Sequence, residues 1–285
     1  MLESASSLKL FLSVDLVGST EFKTKHLSEN LTSDKDWRSS IVECFERFNR
    51  ALREHQKSYI ELNYNYWKFL GDELIYYVDI KQPQTLVNGL KIFIDTIKEM
   101  RKFNPIKELP IKGTAWIAGF PVINMSFRND YDNNNVGSFD FIGPSIDAGF
   151  RISKYSTADY LCITAELAYF LFQYMSKPNS DYHNKNLPLY FYKLENIKGL
   201  LEGELYPIYY IEISELQNKF NSMKGSKEAN PKESLAYLDE LFKSVNNELF
   251  FCKPYLLGDM DNVIFGDFPE SHKRYIQTMA KELIS

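Results

Sequence analysis

The run LKLFLSVDL, residues 8–16, is apolar and partly β-branched, yet it carries an aspartate, Asp15, next to its end. A run of this kind bounded by polar residues predicts a buried strand. Gly18, Ser19 and Thr20 follow at once and offer a turn and a helix cap. Trp37, Ile41, Phe45, Phe48 and Leu52 then recur at three- and four-residue intervals, as in a helix with one buried face. The chain therefore opens as strand, turn, helix, and poses the question of what an ionisable group does at the end of a buried strand.

Two aromatic-rich segments, YNYWKFL and LIYYVDI, flank Gly71, Asp72 and Glu73 and predict a β-hairpin with Asp72 at its tip. A second helical pattern runs through Leu86, Leu90, Phe93, Ile97 and Met100, followed by a strand in IKGTAWIAGF from Ile111. NDYDNNNVG, from Asn129, reads as an exposed loop. FDFIGPSIDAGFRISKY passes from a short strand through Gly143 and Pro144 into a helix opening near Ser145. LYFYKLENIKG and LYPIYYIEI supply two more strands. The expected architecture is α+β, a mixed and mainly antiparallel sheet with helices on one side. After about Glu215 the texture becomes polar and turn-rich, then helical, which divides the chain into residues 1–215 and a mostly helical extension, 216–285.

Apolar residues make up 44% of the chain, enough for a large core. The formal net charge of −5, with acidic residues spread along the chain, argues against nucleic-acid or anionic-membrane partners. Cys44, Cys162 and Cys252 are odd in number, far apart and never in a CxxC pair, which argues against a disulfide framework and a structural zinc site. Glu3 stands where a signal peptide would be basic, and no apolar run reaches transmembrane length, so the expectation is a soluble cytoplasmic protein. His26, His55, His183 and His272 form no metal-binding spacing and read as incidental. No GxxxxGK[ST] or GG[DE][DE]F-like turn occurs, which removes the P-loop and diguanylate cyclase readings.

Three stretches, FLSVDLVGST, KFLGDELIYYV and FIGPSIDAGFR, in this order, resemble the motifs of class III nucleotidyl cyclases over roughly the first three quarters of the chain. Their wording is most similar to the bacterial pyrimidine cyclases of Pycsar antiphage defence. The resemblance implies a ferredoxin-like cyclase catalytic domain. It also implies conversion of UTP or CTP to cUMP or cCMP plus pyrophosphate, with ATP to cAMP as the alternative, and a module that has lost catalysis as a further one.

Cyclisation needs a poor nucleophile activated and a charged leaving group stabilised, which two hard cations, Mn2+ or Mg2+, can supply. Asp15 and Asp72 match the family's metal-binding aspartates, with the backbone carbonyl of Leu16 as a further implied ligand. Taken alone, each is also an ordinary residue of a strand end or a turn. Gly18, Ser19 and Thr20 would hold the triphosphate through backbone N–H groups at a helix start. Arg151 matches the arginine that stabilises the pentavalent transition state. Asp147, four residues earlier on the same helix face, departs from the family's asparagine and is expected either to contact the ribose or to hold Arg151 in its rotamer. Lys68 and Asp140 match base-reading positions without fixing the base. Lys198 resembles a triphosphate-binding lysine, although Leu200 stands where some relatives have another lysine. The family further implies a homodimer, its metal aspartates coming from one subunit and its base-reading and arginine residues from the other.

Overall fold

The computed structural model describes residues 7–27, 37–59, 61–103, 109–128, 139–177, 187–214, 228–245, 248–255 and 269–282. The expected loop from Asn129, His183 and the boundary near residue 215 lie outside them.

A seven-stranded sheet has the order β2-β3-β1-β4-β7-β9-β8. Its strands are β1 (Ser7–Leu16), β2 (Asn65–Leu70), β3 (Glu73–Ile80), β4 (Ile111–Phe120), β7 (Tyr160–Ile163), β8 (Leu189–Glu195) and β9 (Tyr206–Glu212). All neighbouring pairs are antiparallel except β4 with β7. A separate two-stranded ribbon joins β5 (Met125–Arg128) to β6 (Phe139–Ile142). The architecture is therefore α+β, mixed and mostly antiparallel, as the sequence predicts.

Alternation along the strands decides which face each side chain serves. In β1, Leu8, Leu10, Leu12 and Val14 enter the main core. The helices α2 (Trp37–Gln56), α3 (Pro83–Phe103) and α5 (Ala165–Met175) contribute their buried residues to that same core. Phe11 points the other way, into a second, aromatic cluster with Trp67, Ile75, Trp116, Phe120 and Phe141. Ser13 and Asp15 share the Phe11 side by the same period of two.

The expectation of helices on one side only is corrected by α4 (Pro144–Ile152), which crosses the opposite face. Gly149 lies so close to the Trp116 indole that a Cβ there would come within 2.2 Å of it. Only glycine allows that approach. Buried Asn124 fixes the helix start, accepting a bond from Ser145 N–H at 3.1 Å and donating to the Gly119 carbonyl at 2.9 Å. Beyond β9 lie the helices α6 (Pro231–Ser244) and α7 (Glu270–Glu282). The Asn230 side chain caps α6, and Pro231 occupies its first turn.

Candidate active site

Asp15 and Asp72 are 57 residues apart in sequence, and the β1–β3 pairing makes them neighbours. Asp15 lies directly opposite Glu73 in that ladder, and Leu16 N–H reaches the Asp72 carbonyl at 3.3 Å. Burial raises the Asp15 carboxyl above its ordinary value, the charge of Asp72 raises it further, and Lys112 works against both. Lys112 Nζ sits 3.0 Å from Asp15 Oδ2 across the β1–β4 ladder. Glu73 is raised by burial and by both aspartates, while Ser13, whose hydroxyl donates to it, opposes the rise. Sequence reasoning missed Glu73 and Lys112. The signal that finds them is register: once β1 is central, Asp15 must face one residue of each neighbour.

Ser19 donates its hydroxyl to Asp72. That side chain is thus committed to orienting a carboxylate, and only its backbone remains for the expected triphosphate role. The helix α1 (Ser19–Leu27) makes its first backbone bond from Phe22 N–H to the Gly18 carbonyl. The N–H groups of Ser19, Thr20 and Glu21 therefore precede the helical ladder and point from its positive end. Gly18 makes the turn at φ +77°.

A second group of predicted residues gathers around β2, β6 and α4. Lys68 Nζ donates to Asp140 Oδ1 at 2.6 Å, Trp67 Nε1 donates to the same oxygen at 3.0 Å, and Phe141 N–H does so at 2.9 Å. Burial disfavours the Asp140 charge, yet the bonds from Lys68, Phe141 and Trp67 prevail and hold its carboxyl below the ordinary value. Consecutive residues of a regular strand face opposite ways, so Trp67 and Lys68 meet one carboxylate only because the β2–β3 register slips between Tyr66 and Lys68. Trp67 was not singled out in the sequence. Its ring is held edge-on by Phe11 and by Phe141, each centroid 5.2 Å away, with Phe150 of α4 at 6.1 Å.

Arg151 donates Nη1–H to the carbonyl of Lys198. Gly199 has φ +76°, and a Cβ there would lie 3.3 Å from Arg151 Nη2, so the Lys198–Gly199 turn receives the guanidinium at close quarters. Of the two roles expected of Asp147, holding the Arg151 rotamer falls instead to the Lys198 carbonyl, while Asp147 is solvent-exposed. Lys198 is also exposed. Leu200 is a core residue, so the departure at that position serves packing.

The polar partners of the two groups differ: Asp15 pairs with Lys112, whereas Lys68 pairs with Asp140 and Arg151 with the Lys198 carbonyl. Among the described residues no set of three His, Cys, Asp or Glu is arranged to enclose a metal by itself. The cysteines are free and buried, with burial pushing their thiols up to about 11 for Cys44 and about 12 for Cys162 and Cys252, unsuited to nucleophilic work. His272 is fully buried between the Glu248 carbonyl and Tyr255 Oη, a structural position.

No protein-family model matches this chain, and no curated protein matches it. Among solved structures it is similar to the adenylyl cyclase CyaB from P. aeruginosa, at 16% identity over 72% of this chain and 94% of that one, with a TM-score of 0.49. The guanylate cyclase domain of RhGC from Catenaria anguillulae, in complex with GTP, is similar at 13% identity over 73% and 96%, with a TM-score of 0.48. Adenylate cyclases from Trypanosoma brucei in their monomeric state follow at 12% identity over 72% and 89%, with a TM-score of 0.45. Among the described residues no helix is long and apolar enough to cross a membrane.

Proposed function

We propose that the protein is a divalent-cation-dependent class III nucleotidyl cyclase that closes a nucleoside triphosphate to its 3′,5′-cyclic monophosphate and releases pyrophosphate. The observation that carries this reading is the placement of Asp15 and Asp72 at adjoining strand ends by the β1–β3 ladder, in sequence motifs that resemble that family's metal-binding positions.

The donor set fits hard cations. Three carboxylates, Asp15, Asp72 and Glu73, meet at adjoining strand ends beside one lysine, Lys112, and burial raises the Asp15 and Glu73 carboxyls, so Mn2+ or Mg2+ would supply positive charge where these strand ends carry an excess of acidic groups. Asp15, Asp72 and the Leu16 carbonyl would hold two ions, which when bound activate the ribose 3′-hydroxyl and neutralise the leaving pyrophosphate. Ser19 keeps Asp72 oriented, and the N–H groups opening α1 receive phosphate oxygens. Arg151, fixed by the Lys198 carbonyl, presents its remaining donors to the α-phosphate as charge accumulates. Lys68 and Asp140 address the base, the unengaged Asp140 Oδ2 accepting and Lys68 donating.

The motif resemblance implies that the carboxylates and Arg151 of one site come from different subunits, so a complete site needs a second copy. We take the active form to be a homodimer with two equivalent sites. The motif wording favours UTP or CTP as substrate, and with it a second messenger of antiphage defence. ATP is the competing substrate, because a donor beside an acceptor suits adenine as well.

The test presents ATP, GTP, CTP and UTP with MnCl2 and identifies the product by mass spectrometry. A cyclic pyrimidine nucleotide is expected. Asp15→Ala and Arg151→Ala should each be inactive alone, and mixing them should restore activity through one intact shared site. No cyclic product from any of the four would overturn the reading.

A further inference from the structure

Residues 199–203 form a loop in which two glycines suit the backbone and one leucine does not. Gly199, Leu201 and Gly203 all have positive φ, at +76°, +50° and +101°. For a leucine that region is a genuine strain, sustained only where surrounding contacts determine it. Leu200 and Leu201 are buried, at 3% and 2% exposure, so the contacts exist.

The contacts come in part from the C-terminal extension. Phe250 and Phe251 line one small cavity together with Ala148 of α4, Leu200, Leu201 and Tyr206. Phe251 is itself buried; it stacks on Phe242 of α6 with centroids 4.6 Å apart and meets Tyr206 edge-on at 6.4 Å. Tyr206 forms a firm floor, its hydroxyl donating to Glu166 at 2.9 Å and accepting from Ala165 N–H at 2.8 Å. The segment is pinned from its other side. Lys253 pairs with Asp239, and its ammonium lies 5.5 Å from the Tyr169 ring of α5.

Both walls of that cavity lead to Arg151. Ala148 precedes it by one helical turn on α4, and Leu200 follows the Lys198–Gly199 turn that receives the guanidinium. Removing the aromatic plug would free the strained loop and with it the carbonyl that fixes the arginine.

We propose that residues 249–255 are a positioning element, with Phe251 the positioning residue that holds the 198–203 loop against α4 and thereby sets Arg151. Its catalytic consequence rests on the cyclase reading, whereas its structural part does not.

The experiment uses the full chain with Phe251→Ala and the milder Phe251→Leu. Amide hydrogen exchange is followed at Leu200 and Glu204, whose N–H groups bond to Ile197 and Leu201, with β1 amides as the internal reference. Exchange at those two amides should rise about tenfold in Phe251→Ala and by a smaller factor in Phe251→Leu, with β1 unchanged. In the cyclase assay kcat should fall while KM for the triphosphate holds. If Phe251→Ala does not fold, Phe251→Leu alone decides. Exchange at Leu200 and Glu204 equal to wild type in the folded variants, or a loss confined to KM, would overturn the proposal. Because exchange needs no turnover, an altered loop in a chain that makes no cyclic nucleotide would refute the cyclase reading alone.

Discussion

Lys112 Nζ lies 3.0 Å from Asp15 Oδ2 and offsets part of the negative charge of three clustered carboxylates. The pair is half-buried, with side-chain exposures of 20% and 25%, so its loss is costlier than that of a surface pair. Replacing the lysine by a neutral residue leaves Asp15 partly desolvated and without its cation.

Lys112→Met should therefore destabilise the cation-free protein by about 1–2 kcal/mol, a drop of a few degrees in Tm. Millimolar MnCl2 should return most of the loss, because a divalent ion supplies the missing positive charge. Thermal denaturation with and without the metal measures both effects. A loss that manganese leaves untouched would count against a cation site at Asp15 and Asp72.

Trp67 bears on base selection. Its indole N–H is one of three donors on Asp140 Oδ1, which leaves Oδ2 as the acceptor offered to a base. Trp67→Phe removes that donor and keeps an aromatic ring. A hydrogen bond to a charged group contributes about 1.5–3 kcal/mol, so kcat/KM for the preferred triphosphate should fall by about tenfold or more. Selectivity among the four triphosphates should narrow. Competition assays with pairs of triphosphates read the ratio, and an unchanged ratio would assign the indole to packing only.

How much of this was legible in the sequence follows from how each feature is encoded. β1 and the β2–β3 hairpin could be read because an apolar run and a Gly-Asp turn are local signals, and α2 and α3 because each buries one face. α5 escaped notice: nine of its eleven residues are buried, so it has no polar face to set a period. β5 and β7, at four residues each, are too short for alternation to show. The site divided the same way. Asp15, Asp72, Lys68, Asp140 and Arg151 sit in motifs, so a role for each could be proposed from chain order alone. Glu73, Lys112 and Trp67 depend on cross-strand register and on a bulge, neither of which is written in chain order.

Gly149 tests whether α4 is as tightly seated as its distances say. A methyl group there would meet Trp116 ring atoms at 2.2–2.5 Å. The indole is fully buried in a packed aromatic cluster and has no room to retreat. Although alanine favours helix over glycine, Gly149→Ala should cost about 1–3 kcal/mol through overpacking. Denaturant unfolding measures the loss, and a stabilised variant would show that α4 can lift from the sheet.

Glu166 provides a pH signature separate from those of Asp15 and Glu73, neither of which is among the causes of its shift. It is buried at the start of α5, and burial raises its carboxyl above the ordinary 4.5, with the bond from Tyr206 only partly compensating. The native state therefore holds this proton more tightly than the unfolded chain does. Between the ordinary and the raised value the folded form binds more protons, so stability must fall as pH rises through that window. Glu166→Gln cannot ionise, and its amide oxygen still accepts from Tyr206. Relative to wild type, the variant should gain stability by about 1 kcal/mol per pH unit across the window and hold that gain at neutral pH. Urea unfolding at intervals from about pH 4 to pH 8 supplies the comparison. A difference that stays constant with pH would mean that Glu166 ionises as freely in the folded protein as in the unfolded chain.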